Sequence, residues 1–271
     1  MIHGGSTADG IDADEAYDMI TGETCTFKAD FTYDSDTSQQ VAHGAFLIPK
    51  GPTVCYQSST CRYFDVFTGS WTVPASEDFP DPLDGPATRL VVDNVGQEGL
   101  VIVDNDNKLV LAAPEINFFD NIIPYFGSFP SAEFELGQLA SAAGDGKTLI
   151  LTGGAGTETT IEIYEYDKSS FGFNQKSYSQ TLSISRFGHC SVIFTHPTYG
   201  SVVAVAGGIV DDKITVEYIP LDDYNLAPIV DTNADGTKPQ VALYYHSCVP
   251  NPTDNGFYVM GGFNLETGGT R

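Results

Sequence analysis

The sequence is short of positive charge: 12 Lys and Arg stand against 36 Asp and Glu in 271 residues, a net charge of −24 with a pI near 4.1. Nucleic acid and anionic membrane surfaces would be repelled by such a chain, whereas basic partners and cations would not. No run of ~18 apolar residues is present, which excludes a helical membrane span. The opening, MIHGGSTADGIDADEAYD, has neither a basic start nor an apolar core and does not read as a signal peptide. Apolar residues nowhere keep a 3.6-residue period beyond about two turns, so helices are not expected. G-x-S-x-G, H-E-x-x-H, CxxC and phosphate-loop patterns are all missing.

Short β-branched and aromatic runs bounded by Gly, Pro, Asn or Asp are plentiful. They cover Leu90–Asp93, Leu100–Val103, Leu109–Ala112, Thr148–Thr152, Ile161–Tyr166, Ser191–Thr195, Ser201–Ala206, Ile214–Ile219, Val241–Tyr245 and Gly256–Met260. Many short strands with turn residues between them predict an all-β sandwich, barrel or propeller.

A repeat decides among these. Three apolar runs end in Gly153-Gly154, Gly207-Gly208 and Gly261-Gly262, at spacings of 54 and 54 residues. Gly4-Gly5 lies 149 residues before the first of them, which leaves room for two degenerate copies, at Gly44-Ala45 and Asp104-Asn105. An alternating strand ending in an aromatic follows the pairs, as in TTIEIYEYD and ITVEYIP. A bulky residue then recurs about seven positions on: Phe64 leads to Trp71, Tyr166 to Phe173 and, one residue late, Tyr17 to Cys25. Strands carrying His189 and His246 precede two of the pairs.

The unit resembles the Kelch repeat. Arg186, His189, Gly207-Gly208 and Tyr218 match it best, while Asn225 or Leu226 stands where the motif has Trp. The resemblance implies a β-propeller of about six four-stranded blades, near 1–28, 29–75, 86–130, 134–180, 185–230 and 240–271. The glycine pairs would sit where neighbouring blades press close and no Cβ fits. The aromatics would fill the wedge between blades. The first copy begins at its second strand and the last ends after its second, so the ring reads as cut mid-blade, a piece of a longer propeller. Permuted closure into six blades is the alternative.

Several residue groups are candidates for chemistry. Cys55 and Cys61 flank a hairpin, and a disulfide or two reduced thiols both suit that spacing. The cysteine positions, with Cys25, Cys190 and Cys248, resemble those of secreted animal Kelch proteins, which implies an extracellular setting; a cytoplasmic one is the alternative. Asp231, Asn233 and Asp235 followed by Gly236 open like a calcium loop, but Ala242 stands at the twelfth position and Lys238 intrudes, so a polar turn fits as well. Tyr245-His246 matches one element of the copper-radical oxidases of the galactose and glyoxal type, which are also Kelch propellers. His246 shares its repeat slot with His189, which favours a structural role over copper. No cofactor is expected beyond these calcium and copper candidates. The expectation for function is a non-catalytic scaffold that holds a protein partner, with no nucleic acid and no membrane insertion. A copper-radical oxidase and a calcium-stabilised glycan-binding propeller are the alternatives.

Overall fold

The computed structural model turns the strand-rich sequence into antiparallel sheets, all but the last made of strands adjacent in the chain. Side chains and backbone are described over 141–208, 215–231, 246–251 and 255–260, isolated positions apart; elsewhere the strands are described by backbone and pairing. β1 (Asp14–Tyr17) pairs with β2 (Thr24–Phe27). A four-stranded sheet follows, of β3 (His43–Ile48), β4 (Gly51–Tyr56), β5 (Cys61–Asp65) and β6 (Ser70–Thr72). β7 (Ala87–Val91), β8 (Glu98–Val103) and β9 (Leu109–Ala112) form a three-stranded sheet. The next sheet holds β10 (Ser141–Asp145), β11 (Thr148–Thr152), β12 (Ile161–Asp167) and β13 (Gly172–Lys176). After it come β14 (Cys190–His196), β15 (Gly200–Ala206), β16 (Val216–Pro220) and β17 (Ile229–Asp231), again as four strands in chain order. Last, β19 (Ser247–Pro250) and β20 (Phe257–Met260) make a hairpin, while β18 (Leu243–Tyr244) pairs with β21 (Phe263–Asn264). The chain is thus all-β and propeller-like; among the described strands no closed ring is formed.

Two-residue alternation gives the β14–β17 sheet two apolar faces. One face carries Val203, Val205 and Ile219 and packs on Ala143, Ile150, Ile161 and Ile163 of the β10–β13 sheet. The other carries Cys190, Val192, Phe194, Val202, Ala204, Ala206, Val216 and Tyr218, with Cys248 and Phe257 of the β19–β20 hairpin against it. A strand covered on both sides has no solvent face, which explains the unbroken run Val202–Ala206.

Register corrects four readings of the sequence. Gly44 lies inside β3, the first strand of its sheet, so the slot after the second strand falls at Gln57-Ser58. Tyr17 faces Thr24 rather than Cys25, which opposes Ala16. The residue opposite Tyr218 is Ile229, not Asn225 or Leu226, because the turn between β16 and β17 is longer than in the other copies. Ile229 packs into the apolar face, while Leu226 is exposed. Finally, of the run expected at Val241–Tyr245 only Leu243–Tyr244 forms a strand, β18, and β19 begins beyond the run at Ser247, after the buried His246.

Candidate functional site

The polar chemistry of the described residues concentrates in two seams between neighbouring sheets. In the first seam, Arg186 approaches from the segment before β14. It is fully buried and spends its guanidinium on three acceptors: Nε on Glu217 Oε1 at 3.2 Å, Nη1 on the Gly207 carbonyl at 2.6 Å and Nη2 on Thr215 Oγ1 at 2.6 Å. Glu217, equally buried, also accepts the backbone N–H groups of Ser183 (2.6 Å) and Ile184 (3.1 Å). Burial pushes the Arg186 guanidinium down, and the Glu217 carboxylate opposes that push. The ion pair pins the connecting segment onto its own sheet. Backbone hydrogen bonds tie the same segment to the preceding sheet: Gly154 N–H donates to Arg186 O, and Arg186 N–H to Glu158 O.

The turn after β11 must lie close for this to happen. Gly153 and Gly154 have φ of 62° and 107°, in the left-handed region that suits glycine. A Cβ on Gly153 would lie 2.5 Å from Arg186 O and 2.6 Å from the His189 ring. Beside it runs a chain of polar side chains. His189 Nε2 lies 2.9 Å from Thr152 Oγ1, which is 2.8 Å from Ser191 Oγ and 3.5 Å from the Ser141 carbonyl. Burial first, then the Arg186 charge, pushes the His189 pKa down to about 3, so the ring is neutral.

The second seam repeats the positions with other residues. Cys190 stands opposite Ala206 as Ser141 stands opposite Thr152. His246 takes the place of His189, and Cys248, two residues on, takes that of Ser191. Here Cys190 and Cys248 form a disulfide that joins β14 to β19, with Cα atoms 5.6 Å apart. His246 Nε2 lies 3.0 Å from the Ala206 carbonyl. A carbonyl only accepts, so Nε2 carries the proton and Nδ1 bears the lone pair. That Nδ1 is buried with no hydrogen-bond partner, as is Nδ1 of His189. Burial pushes the His246 pKa down to about 4.

A third feature lies at the sheet end formed by the β14–β15 and β16–β17 turns. His196 stacks on Tyr199, with centroids 4.5 Å apart and planes 21° apart, and both neighbour Tyr218. Leu221 N–H donates to Ser201 O, and Asp222 accepts the Ser201 N–H at 3.2 Å, so the two turns are fastened together. Tyr178, edge-on to Tyr224, donates to the Leu226 carbonyl at 3.3 Å.

Of the residues marked in the sequence, the structure brings together Gly153, Gly154, Arg186, His189, Gly207 and Gly208 at the first seam. Tyr166 packs on Phe173 at 5.3 Å. Tyr218 packs on Phe194 and donates to Asp231 Oδ2 at 3.4 Å. Asp231 therefore ends β17 with a hydroxyl on its carboxylate, while Asn233 and Asp235 lie outside the described residues, as do Gly4, Gly5, Gly261, Gly262 and Tyr245. Backbone register sets Cys55 directly opposite Cys61, and Phe64 opposite Trp71. The hydroxyls of Thr152, Ser191 and Thr215 were not anticipated, and neither were two further features. Glu217 is the counter-ion of Arg186, and its signal is a carboxylate at the same strand position as Glu162 within an otherwise apolar run. The pairing of Cys190 with Cys248 was the other.

No family model matches the chain, and no curated protein matches it by sequence. Solved structures do match in fold. A structure of YjhT is similar with 12% identity and a TM-score of 0.52, over 84% of this chain and 78% of that one. A triple arginine-to-alanine mutant of AofleA from Arthrobotrys oligospora is similar with 14% identity and a TM-score of 0.54, over 83% of this chain and 66% of that one. Both neighbours are of β-propeller type, and the likeness extends to the fold alone.

Proposed function

We propose that this chain is a non-catalytic binding propeller of Kelch-like repeats that holds a protein partner at the turn edge of the β14–β17 sheet. One observation carries the reading: the exposed large hydrophobic side chains among the described residues are Tyr199 (38%) and Leu226 (50%), and both lie at this edge. Asp222 and Asp223 are exposed beside them, and Asp223 holds the Asn225 backbone and amide in a local turn, so the edge is set before a partner arrives. Tyrosine is a frequent anchor in protein contacts, and the net charge of −24 favours a basic partner. The Cys190–Cys248 disulfide supports residence in an oxidising compartment.

A peptide display selection against the full chain tests this. Enrichment of basic peptides that is lost with Tyr199→Ala/Leu226→Ser supports the reading. Enrichment indifferent to that double substitution overturns it. The His196–Tyr199 stack favours a second reading, a glycan-binding propeller, because sugar faces pack on aromatic rings. Glycan-array binding that disappears with Tyr199→Ala, together with a calcium-raised Tm, would choose it instead.

A further inference from the structure

The second seam holds more than a cross-link. Cys190, Cys248 and His246 each offer one ligand atom, and these atoms lie within 4.8 Å of one another. We propose that Cys190, Cys248 and His246 form a redox-gated site for a zinc-like d10 cation: with the disulfide closed the site is cystine, and with it reduced the two thiolates and the imidazole bind the metal.

Three observations support this. First, the donor set of two sulfurs and one imidazole is what a tetrahedral zinc prefers, with ligand atoms about 3.4–3.8 Å apart around the ion. The span found here is within side-chain adjustment of that. Second, the imidazole is already in the ligating form. Nε2 donates to the Ala206 carbonyl, which leaves the lone pair on Nδ1, and that atom has no partner in a ring only 7% exposed. An imidazole N–H given to a backbone carbonyl is the usual outer support of a metal-bound histidine. Third, the first seam supplies an internal contrast. Its histidine has the same unpartnered Nδ1, but Ser191 stands where the second seam has Cys248, and Ser141 where it has Cys190. Hydroxyls are poor zinc ligands, so that seam is not a site although its geometry is parallel.

The chemistry balances. A dithiol gives two electrons and two protons to the Cys190–Cys248 bond and itself closes to a disulfide. Each thiol then releases its proton to solvent as its sulfur binds the cation. The metal leaves three protein ligands and one open position for water. Reduction therefore exchanges one link between β14 and β19 for another.

The full chain, reduced with a dithiol and freed of it anaerobically, would be titrated with Co2+ and with Zn2+. One equivalent of Co2+ should give thiolate charge-transfer and tetrahedral d–d bands, and Zn2+ should displace it. The oxidised chain should give neither. Bound Zn2+ should protect Cys190 and Cys248, rather than Cys25, Cys55 and Cys61, from alkylation, as read by peptide mass. This protection assay needs no substitution, so it stands even if a variant fails to fold. With His246→Ala the d–d bands should weaken and the protection should be lost. Metal uptake that protects only Cys55 and Cys61, or no uptake by the reduced chain, overturns the proposal.

Discussion

The two seams on either side of the β14–β17 sheet occupy equivalent positions and are built differently. In each, a histidine from the later sheet reaches the end of the second strand of the earlier one: His189 to Thr152, His246 to Ala206. The first seam then completes itself with hydroxyls and an ion pair, the second with a disulfide. Where the earlier strand ends in Thr152, the ring meets a hydroxyl; where it ends in Ala206, the ring must use the main-chain carbonyl. The backbone arrangement is common to both, and the side chains decide whether a seam is held by hydrogen bonds or by covalent chemistry.

The largest expected effect breaks the first seam at its ion pair. Arg186→Ala leaves Glu217 buried with two backbone donors and no counter-ion, and should cost about 3–5 kcal/mol in chemical denaturation. Replacing both partners together, as Arg186→Met/Glu217→Leu, should cost clearly less than the single change, because no lone charge remains. An additive double variant would show that the two residues act independently.

The second seam is next. Cys190→Ser/Cys248→Ser should cost about 2–4 kcal/mol under oxidising conditions, since the bridge joins residues separated by 58 positions in the chain. The comparison also runs in reverse. If the seams are equivalent, Ser141→Cys/Ser191→Cys should close a new disulfide in the first seam, read as loss of two thiols and a shifted band without reductant. Two free thiols after oxidation would deny the equivalence.

Much of this was legible in the residues, and what was not has a physical cause. The strands at Leu109–Ala112 and Thr148–Thr152 were readable to the residue because turn formers bound them on both sides. Tyr166–Phe173 was readable because the turn between their strands is short and fixed. The equivalent partner of Tyr218 was missed because Asp222–Pro228 lengthens the turn, and a fixed offset cannot see that. Arg186 was marked but Glu217 was not, since acidic residues are too abundant here for one to stand out. The Cys190–Cys248 pair was encoded more subtly. One cysteine follows its histidine by one residue and the other by two, so strand alternation turns them toward opposite faces, which are the faces that meet. The turn edge with Tyr199 and Leu226 carried no sequence signal, because exposure depends on which turns come together.

A smaller effect sharpens the role of the glycines. Gly153→Ala combines left-handed backbone strain with a collision against Arg186 O and the His189 ring, and should cost about 2–4 kcal/mol. Gly156→Ala shares the positive φ but has open space around the added carbon, so only strain of about 1 kcal/mol applies. Equal losses for the two would mean that the close approach of the sheets contributes nothing.

The smallest effect at neutral pH is the histidines' own, and it grows with acid. His189 has its pKa lowered to about 3 in the fold, chiefly by burial, against an ordinary value near 6.5. A depressed pKa means that the folded chain resists a proton which the unfolded chain accepts. The neutral ring's contribution is therefore intact above about pH 6.5 and is lost progressively as the pH falls toward about 3. Within that window the loss is about 1.4 kcal/mol for each pH unit. Protonating carboxylates relieves the net charge of −24 over an overlapping range, so the raw acid profile mixes two trends. The difference between wild type and His189→Gln isolates the histidine, because the variant keeps every carboxylate. The stability of wild type minus that of the variant should fall as the pH drops from 6.5 to 4.5. A gap constant with pH would mean that His189 is not held neutral beside Thr152, and the contrast between the two seams would then rest on the disulfide and the ion pair alone.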